Sequence, residues 1–551
     1  MRRLFSILLA LVMVLSMGVT AFAAEDSANV TFADPNTQRT YDAYQLLELT
    51  VSLKTGEHHP ATCDSVNHAD DCYNYAYTIN NTYLDILKQE THDNAGATLW
   101  GDANKPAVND VTEKQILEYL STLTSDSNGN YGTLRRAADR IYRAIVAAGI
   151  PAEKNNLTGT ATLGQGYWMF VDVTGFDGAN DASSLVILDT KGENNLTITP
   201  KVSIPEVVKK VKDITDSSDA NIEDNPWHDS ADHDIGDTVP FKLTATLPSN
   251  LKAYESYKLI FHDTLSEGLE LDKDSVKVYM YQTKHKADAD IRLAEGTNVT
   301  EYFTVITDSL TDGCSFEVHG KYNEGKYIKA IPNVDSGYAF VVYYEATLTK
   351  KATVGADGNP NTVKLEFSND PYNEASTGIT TEDKVTVFTY QLTINKTDSH
   401  GHALAGAGFT LKKLDYKTGN YETIGNELKL DANQKELTTF IWMGLDDGEY
   451  ELVETTIPEG YNEMAPVKFS ILATHDETQD DPQLTVLDGG VMGIGEVSTG
   501  IIEKNIVNNT GTVLPETGAE GTMMLITAST LFVMVAVVFM ITRKKMSIYE
   551  D

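Results

Sequence analysis

The sequence predicts a mainly β protein, with two tandem β-sandwiches behind a mixed α+β N-terminal domain. The chain contains 27 tyrosines and 39 glycines but only 16 prolines, a composition that favours strands joined by many turns. From about residue 205 onward, short alternating segments are separated by turn signals at regular spacing, which is typical of sandwiches. The length of 551 residues accommodates about three domains of ordinary size.

The overall composition excludes several classes of protein. A formal net charge of −37 argues against nucleic acid as a partner, because a phosphate backbone needs a basic surface. A content of 41% hydrophobic and 22% charged residues excludes both wholesale disorder and a polytopic membrane protein. No nucleophile-elbow, zinc-protease, P-loop or dinucleotide-binding motif is present, so we expect neither a cofactor nor enzymatic turnover.

The first 23 residues read as a signal peptide. Arg2 and Arg3 precede an apolar run over 4–14, and small residues follow up to Ala21-Phe22-Ala23. A basic start, a short apolar stretch and an A-x-A site together predict secretion and cleavage near Ala23.

The N-terminal domain, residues 24–200, has a mixed pattern. Thr112 and Gln115 form a capping box ahead of an apolar-periodic stretch, and a helical stripe over 134–148 ends at Gly149. The stretches 167–174 and 184–189 predict strands.

Two sandwiches are predicted to follow, over 201–388 and 389–511. Short acidic stretches interrupt the first of them. The charged cluster over 228–234, which contains two histidines and three aspartates, is interpreted as a solvated acidic loop.

Three polar residues of the C-terminal sandwich continue apolar rows. Because alternate side chains of a strand share a face, Lys396 lies on the face of Tyr390, Leu392 and Ile394. Glu454 and Asn508 continue similar rows in the same way. An unpaired charge facing the core would be very costly, so the three groups are expected to neutralise one another.

The segment YELVETTIPEGY at 450–461, with Gly444-Leu445 and Gly448 upstream, resembles the E-box of Cna-B domains and Gram-positive pilins. The resemblance implies immunoglobulin-like, Cna-type sandwiches. It also implies an isopeptide bond between Lys396 and Asn508, promoted by Glu454, with Asn509 as the alternative acceptor. Burial lowers the pKa of a lysine by up to about 3–5 units, which makes its amine nucleophilic.

In the middle sandwich, polar residues again continue apolar rows on one face of a strand. Val207, Lys209 and Val211 share one face, and Asn369 continues a row formed by Val363, Leu365 and Phe367. The stretch around Asp263 resembles the isopeptide-forming middle domain of backbone pilins. We therefore predict a Lys209–Asn369 bond promoted by Asp263, with Glu345 as the alternative acid.

Residues 512–551 form a second targeting segment. Residues 522–542 carry no charge and are long enough to cross a bilayer, and Arg543-Lys544-Lys545 follows at once. A pentapeptide at 514–518 precedes this apolar stretch and basic tail. The arrangement resembles the cell-wall sorting signal of Gram-positive surface proteins, and the resemblance implies that a sortase cleaves between Thr517 and Gly518. The pentapeptide consists of Leu514, Pro515, Glu516, Thr517 and Gly518.

These features together resemble LPXTG-anchored backbone pilins. The resemblance implies a structural shaft subunit, covalently polymerised by a pilus-class sortase and anchored to peptidoglycan by a housekeeping sortase, with minor tip and base pilins and a host surface ligand as further partners. A monomeric wall-anchored adhesin is the alternative, and a wall-anchored hydrolase would need a catalytic motif that the sequence lacks. Lys201, in Thr199-Pro200-Lys201, resembles the pilin-motif lysine and is the predicted acceptor of Thr517 from the next subunit.

The three cysteines divide into a pair and a single residue. Cys63 and Cys72 lie nine residues apart in an exported chain, which predicts a disulfide. His58, His59 and His68 make a zinc site conceivable there, but no metal site is predicted for the chain. Cys314 is expected to be buried rather than reactive.

Overall fold

The computed structural model describes residues 27–33, 39–53, 73–100, 105–125, 132–191, 195–200, 202–214, 225–429 and 437–510. Within these ranges the protein is mainly β, as predicted. The strands form three successive groups of sheets, each group containing two packed sheets, with most of the helices in the first.

The first group combines helices with two sheets. A five-stranded sheet orders as β3-β2-β6-β7, with β4 paired to β2, and a three-stranded sheet orders as β5-β1-β8. The capping box is confirmed, since the Thr112 side chain accepts a hydrogen bond from the Gln115 backbone at the start of α3. The elements are β1 (Ser27–Phe32), β2 (Tyr41–Leu53), β3 (Tyr73–Ile79), α1 (Leu84–Asn94), α2 (Gly96–Trp100), α3 (Glu113–Thr122), α4 (Thr133–Ala147), β4 (Lys154–Leu157), β5 (Thr160–Gly164), β6 (Gly166–Asp172), β7 (Leu185–Asp189) and β8 (Asn195–Ile198).

The second group is a sandwich of a five-stranded and a seven-stranded sheet. The first sheet orders as β14-β13-β17-β11-β9, and the second as β10-β20-β18-β12-β16-β15 with β19 paired to β18. The elements are β9 (Val207–Val211), β10 (Ser230–Asp232), β11 (Thr238–Thr246), β12 (Leu259–Leu265), β13 (Leu269–Tyr281), α5 (Lys284–Ala289), β14 (Thr297–Asn298), β15 (Phe303–Ile306), β16 (Phe316–Gly320), β17 (Ala339–Leu348), β18 (Asn359–Ser368), β19 (Thr377–Ile379) and β20 (Asp383–Phe388).

The third group is a smaller sandwich. Its first and last strands, β21 and β29, lie side by side and parallel in a three-stranded sheet with β25. The facing sheet orders as β23-β22-β26-β27-β28, with β24 paired to β22. The elements are β21 (Tyr390–Asp398), β22 (Gly408–Asp415), β23 (Asn420–Thr423), β24 (Leu428–Lys429), β25 (Thr439–Leu445), β26 (Gly448–Thr456), β27 (Val467–His475), β28 (Leu484–Asp488) and β29 (Ile501–Asn508).

The acidic cluster over 228–234 is not a solvated loop, and that interpretation was wrong. Asp232 and His233 are buried, because β10 lies where the two sandwiches meet. His475 of β27 lies 3.3 Å from Asp232, and Lys413 of β22 pairs with Asp234 at 2.7 Å. These charges therefore hold the two sandwiches together, which a single-strand pattern could not reveal.

A glycine makes a close contact at the same junction. Gly444 accepts a hydrogen bond from the Ile235 backbone N–H at 2.9 Å and has a φ of +74°. A Cβ at this position would lie 2.2 Å from the Ile235 side chain. Two constraints, a left-handed backbone and a close approach, therefore require glycine here.

Gly444→Ala is expected to destabilise the protein more than Gly419→Ala. Gly419 has a similar φ of +70° but open space around its missing Cβ, so it carries only the backbone cost of roughly 1–2 kcal/mol. Overpacking against Ile235 should add at least about 1 kcal/mol. Denaturant unfolding of both variants measures the difference, and equal losses of stability would contradict the contact.

Candidate functional site

The C-terminal sandwich places three predicted residues together in its core. Lys396 of β21, Glu454 of β26 and Asn508 of β29 have relative exposures of 0%, 3% and 2%. Each follows the alternation predicted from the sequence, with apolar neighbours two residues away that are also buried. Glu454 comes from the sheet that faces Lys396 and Asn508, so the group bridges the two layers.

The hydrogen bonds orient the acceptor amide towards the acid. Asn508 Nδ2 donates to both carboxylate oxygens of Glu454, at 2.9 and 3.1 Å, and the Met464 backbone N–H donates to the same carboxylate at 2.9 Å. Lys396 Nζ contacts the Ile506 carbonyl, two residues before Asn508, at 3.1 Å. Asn508 Oδ1 is buried without a hydrogen-bond partner. Asn509, the alternative acceptor, is exposed.

Burial lowers the pKa of Lys396, although the charge of Glu454 opposes this shift. A lowered pKa increases the fraction of neutral amine, and the neutral amine is the nucleophilic form. The lysine, the acid and the amide are thus buried together, with the amide nitrogen hydrogen-bonded to the acid.

The middle sandwich buries its own lysine against an acid. Lys209 of β9 and Asp263 of β12 are both fully buried, with Nζ 2.5 Å from Asp263 Oδ2. The two residues belong to opposite sheets, so the contact spans the core. Lys210, as predicted, turns to the other face, where it pairs with Asp229 at 2.5 Å.

The structure does not bring Asn369 to this lysine, so that predicted pairing is corrected. Along β18, Val363 pairs with Asp263, and Asn369 lies six residues further on, roughly 20 Å away at strand spacing. The Asn369 amide instead donates to the carbonyls of Phe176 and Asp181 in the N-terminal group of sheets. Alternation identified the correct face of β18 but not the position along it.

Asn361 occupies the place that Asn369 was predicted to fill. It is fully buried on the same face of β18, and its Nδ2 donates to the Tyr344 hydroxyl at 2.6 Å, while its Oδ1 is buried without a hydrogen-bond partner. Lys209 Nζ lies 3.3 Å from the carbonyl of the next residue, Thr362. The sequence did contain a signal for Asn361, because it has the same alternation as Asn369. It lies two residues before Val363, whereas Asn369 lies six residues after it.

Tyr344 connects the amide to the acid, and the sequence analysis missed it. Its hydroxyl donates to Asp263 at 3.0–3.1 Å, and it accepts from Lys209 Nζ at 3.0 Å. Lys209, Asp263, Tyr344 and Asn361 thus form one buried hydrogen-bonded chain. Glu345, the alternative acid, lies on the opposite face of β17 and accepts from Tyr343.

Burial shifts the pKa values of the buried pair in opposite directions. It lowers the pKa of Lys209 to about 8, although Asp263 opposes the shift. It raises the pKa of Asp263, with Lys209 and Tyr344 opposing. Both shifts favour a neutral amine beside a neutral acid. The neutral amine is therefore more accessible at pH 7 than in an exposed lysine, where its formation costs about 5 kcal/mol.

Several predicted residues lie outside the described residues: Lys201, Cys63, Cys72, the signal peptide and the sorting motif at 514–518. The predicted span over 522–542 lies outside them as well. Among the helices of the described ranges, none combines the length and apolarity needed to span a bilayer.

Comparison with known proteins finds pilus and surface proteins. Residues 390–483 match the family model "SpaA: Prealbumin-like fold domain". Over 300 residues the chain is 26% identical to the trypsin-resistant surface T6 protein of Streptococcus pyogenes, which covers 51% of this chain. The chain spans about half the length of this curated relative, 49%.

Backbone pilins are among the solved structures that align with this chain. The T6 backbone pilin of serotype M6 Streptococcus pyogenes aligns with 89% of this chain and 100% of its own, at 16% identity and a TM-score of 0.47. The major pilin SpaD of Corynebacterium diphtheriae aligns with 89% of this chain and 98% of its own, at 14% identity and a TM-score of 0.40. In sequence, about half of this chain is similar to a streptococcal surface protein, and residues 390–483 are similar to a prealbumin-like fold domain.

Proposed function

We propose that the chain is the shaft subunit of a covalently polymerised, sortase-assembled pilus, stabilised by an internal Lys–Asn isopeptide bond in each sandwich. The observation that carries this proposal is the pair of buried lysine, carboxyl and asparagine groups at Lys396 and Lys209. The similarity to the T6 surface protein supports it independently. The cross-linking takes place once in each site, so it is self-modification and not enzymatic turnover.

In the C-terminal sandwich, neutral Lys396 Nζ attacks the side-chain carbonyl carbon of Asn508. A new C–N bond forms to the lysine, the bond to Asn508 Nδ2 breaks, and one ammonia leaves. The proton lost by the lysine must reach the departing nitrogen. Glu454 already accepts hydrogen bonds from that nitrogen, so its carboxyl group is placed to carry the proton.

In the middle sandwich, the same exchange runs from Lys209 to Asn361 through two groups. Asp263 is placed to take the proton from Lys209 Nζ at 2.5 Å. Tyr344 hydrogen-bonds both to Asp263 and to the Asn361 amide nitrogen, so it can pass a proton to the departing ammonia. The lysine and asparagine belong to opposite sheets, and the bond would therefore fasten the two layers of the sandwich together.

Assembly is proposed to use the two ends of the subunit. A pilus-class sortase cleaves between Thr517 and Gly518 and joins Thr517 to Lys201 of the next subunit. A housekeeping sortase attaches the finished polymer to peptidoglycan, and minor pilins complete its tip and base. The span over 522–542 holds the chain at the membrane until cleavage, and the mature pilus projects from the cell wall.

Purified residues 24–511 should be lighter than the sequence mass by two ammonia losses. Glu454→Ala should restore one of them, because Lys396 and Asn508 then lack their acid. The variant should also lose stability on the order of 4–5 kcal/mol, the value for cross-linking a loop of about 100 residues in the disulfide case. Intact-mass spectrometry and thermal unfolding make these measurements.

Glu451→Ala is the matched control. Glu451 lies on the same strand, β26, but points outward and contacts Lys412 at 3.3 Å. It should keep both ammonia losses. A wild-type protein with the full sequence mass would contradict the cross-linking proposal.

Asn361→Ala should remove the second ammonia loss, whereas Asn369→Ala should keep it. Only Asn361 is connected to Lys209, through Tyr344, while the Asn369 amide serves contacts to 176 and 181. Peptide mapping should find a Lys209–Asn361 cross-linked peptide. If the second ammonia loss disappears in the Asn369 variant and remains in the Asn361 variant, the Lys209–Asn369 pairing is correct instead.

Lys201→Ala should abolish the high-mass ladder in blots of cell-wall extract. The monomer should remain folded, secreted and wall-anchored, with both internal bonds intact, because Lys201 takes part only in joining subunits.

Replacement of Thr517 should block both polymerisation and anchoring, because each requires cleavage after Thr517. This variant should accumulate in the membrane fraction, since it cannot be cleaved.

A ladder that survives Lys201→Ala would place the acceptor at another lysine. A single wall-anchored band in the wild type would identify a monomeric adhesin.

A further inference from the structure

A polar cluster lies on the outer face of the seven-stranded sheet, on the side opposite to the buried Asp263. It consists of His262 on β12, Glu317 on β16, and Asp312 and Cys314 in the segment that leads into β16. His262 and Glu317 are paired neighbours in the antiparallel register. The neighbouring side chains Phe261 and Asp263 point the opposite way, into the core.

The four side chains converge on one point. One nitrogen, sulfur or oxygen atom from each lies within 4.8 Å of the others. His262 Nδ1 is 2.8 Å from Asp312 Oδ2 and 3.1 Å from Glu317 Oε1, and Cys314 Sγ is 3.8 Å from Glu317 Oε1. Tetrahedral zinc with bonds of about 2.0–2.3 Å separates its ligand atoms by roughly 3.3–3.8 Å, so small adjustments would suffice.

A second layer of residues supports the ring of His262. Its other nitrogen, Nε2, lies 3.3 Å from Glu366 Oε2 on β18, and Lys258 Nζ pairs with the other oxygen of that carboxylate at 2.5 Å. A carboxylate behind a ligating histidine fixes the ring and leaves the opposite nitrogen free to bind a metal. Glu317 also has a supporting partner, since His319 Nε2 contacts its second carboxylate oxygen.

The electrostatics and the burial also favour a cation. Three carboxylates, on Asp312, Glu317 and Glu366, surround His262, while Lys258 neutralises only Glu366. Both ring nitrogens of His262 are shielded from solvent and lie close to carboxylate oxygens. The imidazole thus lies among three carboxylates, and this concentration of negative charge favours a bound cation.

We propose that His262, Asp312, Cys314 and Glu317 form a binding site for a divalent metal ion of the zinc class. Imidazole and thiolate ligands select zinc-class ions over calcium or magnesium, which prefer oxygen ligands alone. On binding, the Cys314 thiol loses its proton to solvent and forms a bond to the metal. The ion would fasten the segment 312–314 to β12 and β16, on the layer opposite the Lys209 strand.

Cobalt absorption tests the site, because Co²⁺ replaces zinc and a thiolate bound to it gives a charge-transfer band. The experiment uses the secreted protein carrying Cys63→Ser and Cys72→Ser, purified reduced and metal-free. The sequence contains three cysteines, so any thiolate band in this background comes from Cys314. We expect one equivalent of Co²⁺ to bind with that band, and Zn²⁺ to displace it and raise the melting temperature.

Variants then assign the ligands. Cys314→Ser should abolish the charge-transfer band, and His262→Gln should weaken binding at least tenfold. Glu366→Gln should weaken binding about 10–100-fold, as loss of a carboxylate behind a ligating histidine does. His402→Gln is the matched control: His402 also lies beside a carboxylate, 3.3 Å from Asp398, but is exposed, and its loss should change nothing.

Two outcomes would overturn the proposal. One is the absence of a charge-transfer band at saturating Co²⁺, which would leave the cluster as a histidine–carboxylate patch without metal. The other is a band that His262→Gln and Glu366→Gln leave unchanged, which would place the cobalt elsewhere on Cys314. A cooperative thermal unfolding transition in each variant checks folding independently of whether the isopeptide bonds form.

Discussion

The constraint on which both sandwiches depend is the burial of a lysine among apolar side chains. Lys209 and Lys396 are each fully buried, and a buried ammonium without partners would cost several kcal/mol. Each sandwich therefore supplies a carboxyl group from a facing strand and an amide nearby. The apolar rows that flank these residues exclude water, and the same exclusion lowers the pKa of each amine. Packing and chemistry are thus two consequences of one arrangement.

The two sandwiches meet this constraint with different topologies. In the C-terminal sandwich, Lys396 and Asn508 lie on adjacent parallel strands of one sheet, and the acid comes from the opposite sheet. In the middle sandwich, Lys209 faces Asp263 and Asn361 across the core, and Tyr344 completes the hydrogen-bonded chain. A bond at the first site would join the first strand of its sandwich to the last, whereas a bond at the second would join two layers. Both would resist separation of strands under tension, because neither can open without breaking a covalent bond.

Buried polar residues also organise the boundaries between the groups of sheets. Asn369 donates to two carbonyls of the N-terminal group, and Tyr372 nearby donates to Asp139 of α4 at 2.5 Å. At the other boundary, Lys413 contacts both Asp234 and Asp446. Such contacts are specific in direction, so they set how neighbouring units meet in a way that apolar packing alone would not.

The sequence alone was sufficient for the mainly β fold, the capped helix α3 and the burial of Lys209, Lys396 and Glu454. These features depend on local periodicity, since alternation decides which face of a strand a side chain occupies. In the C-terminal sandwich the same alternation predicted that Lys396, Glu454 and Asn508 face the core, where the structure has them.

What only the tertiary structure decided was position along a strand and proximity between distant segments. Asn361 and Asn369, which follows the last residue of β18, have the same parity in the sequence, and only the pairing of Val363 with Asp263 selects Asn361. Tyr344 and the surroundings of His262 gave no local signal, because their partners come from strands far away in the chain. The acidic stretch around Asp232 has the composition of a solvated loop, but the C-terminal sandwich packs against it and buries Asp232 and His233. Periodicity specifies a direction for each side chain, whereas register and domain packing specify its neighbours.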